Sequence, residues 1–339
     1  MSKVLFLSYR WNDQRLKTHS SDAMIANGFA NNGWQVHYHD YREYTKQHGL
    51  RFNQSKIFRT IMEVNPDILF IVKGEKVDPQ TILNAKKNGF KGKVVGWYND
   101  IRSNPVRCVI DIMKVCDWFF HCKGGYRLAE YYNATGTPTS FLLAPYEPKY
   151  IKYFAPPSNT KRSFDVTWYG QLYKPEMGFD SLRRDIIPEV RDLLDDYGAC
   201  FDKGFIRGQE YYQALSNSNM SISIPAIDMP YYFSNRHSHL MGSGVAVLSY
   251  AFKNCFDIFT EGVDIITFKN SEEMRNKIKH YLNNRDELKT IQDNSLQFAQ
   301  NYMSSDKVYE EIIHALQHGI SSYPFGQTVN PNNRKVLNA

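Results

Sequence analysis

Short apolar segments that alternate with helix-length stretches constrain the fold of this chain more than any other sequence feature. In the first half they are KVLFLS, QVHYH, NPDILFIV, GKVVGWY, CDWFFHC and SFLLAP. Strands that alternate with helices build βαβ units around a parallel sheet. Continuous apolar runs are typical of strands that are covered on both faces. The pattern therefore predicts an α/β fold.

The alternation is interrupted by the polar, proline-containing segment FAPPSNTKRS and then restarts with FDVTWYG, MSISIP, VAVLSY and DIITF. Three largely helical stretches follow, from about residue 271 to 318. We therefore predict two Rossmann-like domains, residues 1–155 and 156–320, and a loosely ordered tail over 321–339. Such domain pairs usually bind a ligand in the cleft between them, at the carboxyl ends of the strands.

Composition narrows the possible classes of protein. Apolar residues make up 42% and charged residues 22% of 339 residues, which is typical of a globular chain. No apolar run is long enough to span a membrane, and the five cysteines form no CxxC pair. We expect a soluble, cytoplasmic protein with reduced thiols. The net charge of +6 permits an anionic ligand without requiring one.

The segment YFSNRHSHLMGSGVAVLSY, residues 232–250, holds the most informative group of polar residues. Ser234 is suited to cap a short helix whose first turn contains Arg236. Free backbone N–H groups at a helix start attract anions, and a guanidinium there makes a diphosphate clamp. Gly242 and Gly244 allow a tight turn into the next strand. On spacing alone, an ordinary helix–strand connection with a surface arginine is the more common arrangement.

The order of several motifs along the chain resembles that of a known protein family. The motifs GQEYYQALSNSNMSISI, SNRHSHLMGSG, VAVLSY and DIFTEGVDIITFKNSEEMRNKIKHYLNNRDELKTIQDNS occur in order. Together they resemble the C-terminal domain of CgeB (spore-maturation-type), family-4-like glycosyltransferases. In the first half NPDILFIVKGEKVDPQTI, VVGWYNDIRSN and SFLLAPYEP are similar to that family's first domain. DVTWYGQLY resembles the strand and loop that open its second domain.

The resemblance implies a GT-B fold, with a nucleotide-sugar held mainly by the second domain. Arg236 then corresponds to the diphosphate ligand, and Gly170, Gln171 and Lys174 to a loop that approaches the phosphates. Arg207 is a further, lower-ranked candidate for the donor site. Fixed cations and helix dipoles can stabilise a leaving diphosphate without a metal. The sequence holds no DxD triplet, so we expect a metal-independent hexosyl- or pentosyltransferase with no cofactor.

His239 departs from the family pattern, which commonly has a glutamate that binds the donor ribose. A neutral imidazole offers one hydrogen bond where a carboxylate clamps two hydroxyls. Three consequences stay open: an unusual donor, a different ribose ligand, or weakened activity. A structural role for His239 is a further alternative.

Two parts of the first half are candidates for the acceptor side. Asp100 follows the GWYN run and matches one acid of a family motif, as an acceptor-binding group or a general base. A helix cap is the more common role for an aspartate after a strand. The loop after the first strand carries Tyr9, Arg10, His19 and Ser20 and lies at the cleft in this fold.

The sequence thus predicts a glycosyltransferase that moves a sugar from a nucleotide-sugar to a hydroxyl acceptor. The acceptor is either a glycan or protein, or a hydroxymethylated base in phage-type DNA, in which case the host cytoplasm is the expected location. Basic loops suit DNA, and this chain has loops that carry Arg10, Arg15, Lys17, Arg42, Lys46 and Arg51. A non-catalytic nucleotide- or sugar-binding protein on the same scaffold is the alternative from a different class.

Overall fold

A computed structural model describes residues 1–9, 11–13, 18–19, 21–100, 102, 104–149, 161–170, 182–201, 208–225 and 228–333. Of residues 11–13, 18–19, 197, 199–201 and 208–209 it describes the backbone only. The chain divides into two compact units. The first unit comprises Met1–Ala144 and Ser305–Ala339, and the second comprises Pro145–Ser304.

The strands and helices are numbered in chain order. The strands are β1 (Lys3–Leu7), β2 (Trp11–Asp13), β3 (Thr18–His19), β4 (Gln35–His39), β5 (Ile68–Val72), β6 (Lys93–Tyr98), β7 (Trp118–His121), β8 (Thr139–Phe141), β9 (Phe164–Tyr169), β10 (Gly198–Phe201), β11 (Ser218–Ser223), β12 (Ala246–Tyr250), β13 (Ile266–Phe268) and β14 (Thr328–Val329). The helices are α1 (Ser21–Asn31), α2 (Tyr41–His48), α3 (Leu50–Val64), α4 (Pro79–Lys87), α5 (Arg107–Met113), α6 (Tyr126–Thr135), α7 (Leu182–Ile186), α8 (Arg191–Tyr197), α9 (Gly208–Ser216), α10 (Asn235–Gly242), α11 (Ser271–Asn283), α12 (Arg285–Tyr302) and α13 (Ser305–His318). Two 3₁₀ turns span Pro188–Val190 and Cys255–Asp257.

The first unit is built on one sheet with the strand order β14-β8-β7-β6-β5-β1-β4. Its neighbouring strands are parallel apart from β14, which pairs antiparallel with β8. All five residues of β5 are buried, as expected for a strand between two helical layers. On one face, Leu5 and Leu69 pack against Ile57 and Ile61 of α3 and Ile82 of α4. This packing confirms the predicted parallel α/β architecture.

The second unit has a smaller parallel sheet with the order β10-β9-β11-β12-β13. Val166, Trp168, Met220 and Leu248 of this sheet share a core with residues of the flanking helices. The segment between β9 and β10 does not form one continuous helix. Instead α7, a 3₁₀ turn that begins at Pro188 and α8 follow one another, because proline lacks the N–H that a continuous helix requires.

The C-terminal segment differs from the predicted domain boundaries. We assigned residues 305–320 to the second domain, but α13 belongs to the first unit and packs on α1. Trp34 donates its indole N–H to Tyr309 at 2.9 Å, and the Phe29 and Tyr309 rings lie 4.9 Å apart. An amphipathic helix pattern indicates a buried face but not which sheet that face covers.

The tail is more ordered than we predicted, up to residue 333. Thr328 and Val329 are buried and extend the first sheet as β14, and Tyr323 is buried as well. The buried Glu311 carboxylate accepts the backbone N–H of Ser322 at 2.8 Å, which anchors the turn after α13. Among the described residues, no helix is both long and apolar enough to cross a membrane.

Candidate functional site

The carboxyl end of β9 carries the most distinctive group of side chains in the second unit. The Arg236 guanidinium carbon lies 5.0 Å from the centre of the buried Trp168 indole. A Cβ atom on Gly170 would lie 2.8 Å from that indole and 3.1 Å from Arg236 Nη2. The structure therefore brings two sequence-predicted site residues, Gly170 and Arg236, into contact, and it explains why a residue without a side chain follows β9.

Arg183 is a second cation beside the same indole, and sequence reasoning missed it. Its guanidinium carbon lies 5.7 Å from the Trp168 ring centre, and its Nε donates to the Ile224 carbonyl at 2.9 Å. Burial and the like charge of Arg236 lower the pKa of Arg183 to about 10. The adjacent residues Arg183 and Arg184 at the start of α7 were a usable sequence signal for a cation site. The sequence does not show, however, that Arg183 is half-buried and Arg184 is exposed.

The charge of these two arginines is not balanced locally. Among the described residues, neither Arg183 nor Arg236 has an ion pair with a carboxylate. Burial also lowers the pKa of Arg236, because a desolvated guanidinium loses hydration. Arg183 stays charged at neutral pH, since a pKa of about 10 lies well above it. Two half-buried, uncompensated guanidinium groups are suited to bind an anion with more than one charge.

Helix α10 begins as the sequence predicted, with Ser234 as its N-cap. His237 completes a capping box, because its Nδ1 accepts the Ser234 N–H at 3.4 Å. Burial and the nearby Arg236 charge lower the pKa of His237 to about 3. The neutral ring with Nδ1 as acceptor carries its proton on Nε2, which lies 3.2 Å from the Ser249 hydroxyl. Because His237 is neutral, the positive charge in the first turn of α10 comes from Arg236.

His239 is a buried, neutral histidine in an aromatic environment. Burial lowers its pKa to about 4. Its Nδ1 lies 3.2 Å from the Tyr211 hydroxyl, and the Tyr211 and Tyr212 rings are each 5.7 Å from the imidazole. Its Nε2 is buried without a hydrogen-bond partner in the described part of the chain. One ring nitrogen is therefore left with unused hydrogen-bonding capacity.

Gly242 and Gly244 have packing and backbone reasons to be glycine. A Cβ on Gly242 would lie 2.5 Å from the nearest ring atom of Tyr146, closer than side chains approach. Gly244 has φ +64°, in the left-handed region that favours glycine. These contacts explain the tight turn that we predicted. A contact of either glycine with a donor stays a prediction.

In the first unit, Asp100 lies after β6 and forms an ion pair with Lys73. The Lys73 Nζ donates to both carboxylate oxygens at 2.8 Å. Lys73 follows β5 with φ +62°, a conformation that is unfavourable for a residue with a side chain and is often found at functional sites. Sequence reasoning missed Lys73, although a lysine directly after a fully apolar strand was a usable signal.

Tyr9 lies at the same carboxyl edge of the first sheet. The Arg42 guanidinium carbon lies 4.7 Å from the centre of the Tyr9 ring. The Nη2 atom of the same guanidinium group forms an ion pair with Glu75. The Tyr41 hydroxyl is 2.7 Å from Glu75 Oε2. We had grouped Arg42 with the basic loop residues. Its contacts with Tyr9 and Glu75 instead hold it at the carboxyl edge of the first sheet.

Several predicted site residues lie outside the described residues: Arg10, Ser20, Gln171, Lys174 and Arg207. For His19 only the backbone is described, in the short β2–β3 hairpin that we had read as a loop. In the part of the chain that is described, no three His, Cys, Asp or Glu side chains form a group that could hold a metal ion. Metal independence stays a prediction.

Solved structures share the architecture over nearly the whole chain. Anabaena Alr3699/HepE in complex with UDP-glucose is 13% identical with a TM-score of 0.61, covering 94% of this chain and 100% of that one. Sucrose-phosphate synthase from Thermosynechococcus elongatus is 12% identical with a TM-score of 0.60, covering 94% and 98%. AviGT4, a glycosyltransferase involved in avilamycin A biosynthesis, is 10% identical with a TM-score of 0.57, covering 94% and 97%. The fold is therefore GT-B, as predicted.

Comparison of the sequence adds a family match over part of the chain. Residues 168–314 match the family described as "Glycosyl transferase-like". The match begins at Trp168 and includes Gly170, Arg183 and Arg236, the residues around the unbalanced positive charge. Among curated proteins, none matches the chain. The more specific resemblance to the CgeB type stays a prediction.

Proposed function

We propose that this chain transfers a sugar from a nucleotide-sugar to a hydroxyl group, and that Arg183 and Arg236 bind the donor diphosphate. The observation that carries the proposal is the pair of guanidinium groups beside Trp168, neither of which has a carboxylate partner among the described residues. A ligand with two adjacent negative charges matches such a pair. The family match favours an enzyme over the non-catalytic alternative.

The reaction follows from the charge that develops on the leaving group. The bond between the anomeric carbon and the phosphate oxygen breaks, and the nucleoside diphosphate leaves with the bonding electrons. The acceptor oxygen then bonds to the anomeric carbon and its proton is released. Fixed guanidinium groups stabilise the growing charge on the phosphate without reorganising. Contact with the Trp168 indole limits the motion of Arg236 before the donor binds.

UDP and UDP-glucose are the first donors to test, because the Anabaena protein was crystallised with both. We propose Gln171, Lys174, Arg207 and His239 as further donor contacts, and a metal-independent reaction. Replacing Arg236 by glutamine removes charge-assisted hydrogen bonds and should weaken UDP binding by about 10- to 100-fold. Calorimetric titration measures that change directly, without the need for an acceptor.

A matched pair of variants distinguishes the loss of a positive charge at the proposed diphosphate site from the loss of a positive charge elsewhere on the protein. Arg183→Gln removes the guanidinium beside Trp168, whereas Arg184→Gln removes an exposed neighbour that lies 3.5 Å from Asp185. Arg183→Gln should weaken UDP binding by about 10-fold or more, and Arg184→Gln should leave it unchanged. Equal effects of the two variants, with both proteins folded by thermal denaturation, would contradict the proposed diphosphate site.

For the acceptor we propose two sources of hydroxyl groups: a glycan or protein, and a hydroxymethylated base in DNA. Lys46, Arg51, Leu50 and Phe52 are exposed around the α2–α3 corner, and residues 44–62 contain no acidic residue. Such a surface suits a polyanion. Binding of duplex DNA that weakens steeply with salt would favour the DNA acceptor and a phage-type role in a host cytoplasm. Absence of binding would favour the glycan or protein acceptor.

A further inference from the structure

Asp22 is a buried carboxyl group without a hydrogen-bond partner. It is the second residue of α1, it has no exposed surface, and neither carboxylate oxygen has a partner among the described residues. Burying a carboxylate without compensating hydrogen bonds is strongly unfavourable. A group retained at such a cost is more often functional than structural. Because both oxygens are closed off from solvent, Asp22 acts through neighbouring side chains and not by touching a substrate.

The neighbours of Asp22 are charged groups at the carboxyl edge of the first sheet. Its field reaches Tyr9 after β1, Arg42 in α2, Lys73 and Glu75 after β5, and Asp100 after β6. Within the described residues this cluster therefore has three carboxyl groups and two cations. Arg42 pairs with Glu75 and Lys73 pairs with Asp100, so Asp22 is the carboxyl group that has no cation of its own.

Two carboxyl groups therefore interact electrostatically with one ammonium group, and Asp100 is the one that forms an ion pair with it. Of all the described charges, Lys73 has the largest electrostatic effect on Asp22. Lys73 is 12% exposed and Asp100 is 39% exposed, so Asp100 is the member of the trio that an acceptor can reach. In the structure Lys73 is fully engaged with Asp100, as expected when Asp22 is protonated and neutral.

We propose that Asp22 is a positioning residue that competes with Asp100 for the Lys73 ammonium and so decides when Asp100 is available to an acceptor hydroxyl. When Asp22 is protonated, Lys73 occupies both oxygens of Asp100. When Asp22 is ionised, the buried charge draws Lys73 inward, and Asp100 is freed to accept the hydroxyl proton of a bound acceptor. This role for Asp100 rests on the proposed function, whereas the competition for Lys73 does not.

The ionisation of Asp22 falls in a range that makes this competition sensitive to physiological pH. Burial raises the pKa of Asp22 to about 7, while Lys73 and Arg42 lower it and Asp100 and Glu75 raise it. The carboxyl group is therefore mostly neutral at pH 6 and mostly charged at pH 8. Transfer of the sugar should be faster in the charged state, because Asp100 is then free.

The kinetic test compares wild type, Asp22→Asn and Asp111→Asn across pH 5.5 to 8.5. Asp111 is an exposed aspartate of the same unit, 3.9 Å from Lys114, and is the matched control. For wild type and the control, kcat/KM for the acceptor should rise about 10-fold per pH unit below the pKa of Asp22 and level off above it. Asp22→Asn should lose this rise and remain at least 10-fold below the wild-type plateau, with unchanged UDP affinity.

A second readout keeps the proposal testable without turnover. Carbon-13 NMR of aspartate carboxyl groups, assigned with Asp22→Asn and Asp100→Asn, should show Asp22 titrating near 7 and an Asp100 signal that shifts with it. An Asp22 that titrates near 4, or a wild-type pH rise that persists in Asp22→Asn, would overturn the proposal. If the NMR coupling is present but no acceptor is glycosylated, the proposed function fails and the competition stands.

Discussion

Replacing Asp22 by asparagine should change how the stability of the first unit depends on pH. A carboxyl group with a raised folded-state pKa binds its proton more tightly in the folded than in the unfolded protein. The contribution of Asp22 to the free energy of unfolding is therefore most favourable below pH 3.8, which is the pKa of an unperturbed aspartate side chain. This contribution is lost as the pH rises to about 7. At pH 8 the buried charge costs the folded state about 4 kcal/mol, since each pKa unit corresponds to about 1.4 kcal/mol.

Asparagine has nearly the same shape and does not ionise, so it removes this cost at high pH. Between pH 5 and pH 8 the difference in unfolding free energy, Asp22→Asn minus wild type, should rise by about 3 kcal/mol. Urea denaturation at several pH values measures the difference, and all other titrating groups cancel in it. The asparagine N–H groups add a cost that does not vary with pH. A difference that is the same at pH 5 and pH 8, as expected for Asp111→Asn, would refute the reasoning.

Three further predictions concern other contacts. Gly170→Ala places a methyl group against Arg236 and the buried indole, so calorimetry should show UDP binding weakened by about 10-fold and thermal denaturation a lower unfolding temperature, and unchanged UDP affinity would contradict the proposed site. Gly28→Ala pushes a methyl group into the Ser305 carbonyl, so thermal denaturation should show a loss of about 1–3 kcal/mol, and an unchanged midpoint would contradict this packing. Because burial keeps the pKa of His239 at about 4, UDP-glucose affinity should be constant from pH 6 to pH 8, and a step near 6.5 would indicate an exposed imidazole.

Most strands of this fold were predictable because buried parallel strands are continuous apolar runs. The predicted segment NPDILFIV ends in β5, which is fully buried, and QVHYH corresponds residue for residue to β4, of which only His39 is buried. The β2–β3 hairpin was not predictable in the same way, since its residues are polar and the pattern there is typical of a loop. The tail was misjudged because seven of its 19 residues are Pro, Asn or Gly, whereas two residues, Thr328 and Val329, are enough to pair with a sheet edge.

The candidate site was only half predictable, because its parts come together from distant positions. Arg236 was identified from its local setting, after a capping serine and before two glycines. Arg183 lies far away in sequence and meets Arg236 through Trp168, a contact that no local pattern encodes. Lys73 and Asp100 likewise follow different strands and meet because neighbouring parallel strands end at the same edge.

The two clusters differ in the sign of the charge that lacks a partner, and this difference fits the two substrates of a transferase. Among the described residues, Arg183 and Arg236 in the second unit have no carboxylate, so their site favours an anionic ligand. In the first unit Asp22 has no cation of its own and acts on Lys73, whereas the partly exposed Asp100 is the carboxylate that can accept a hydrogen bond from a ligand. A diphosphate satisfies the first requirement and a hydroxyl group the second. Under the proposed function, the second unit therefore suits the donor and the first unit suits the acceptor.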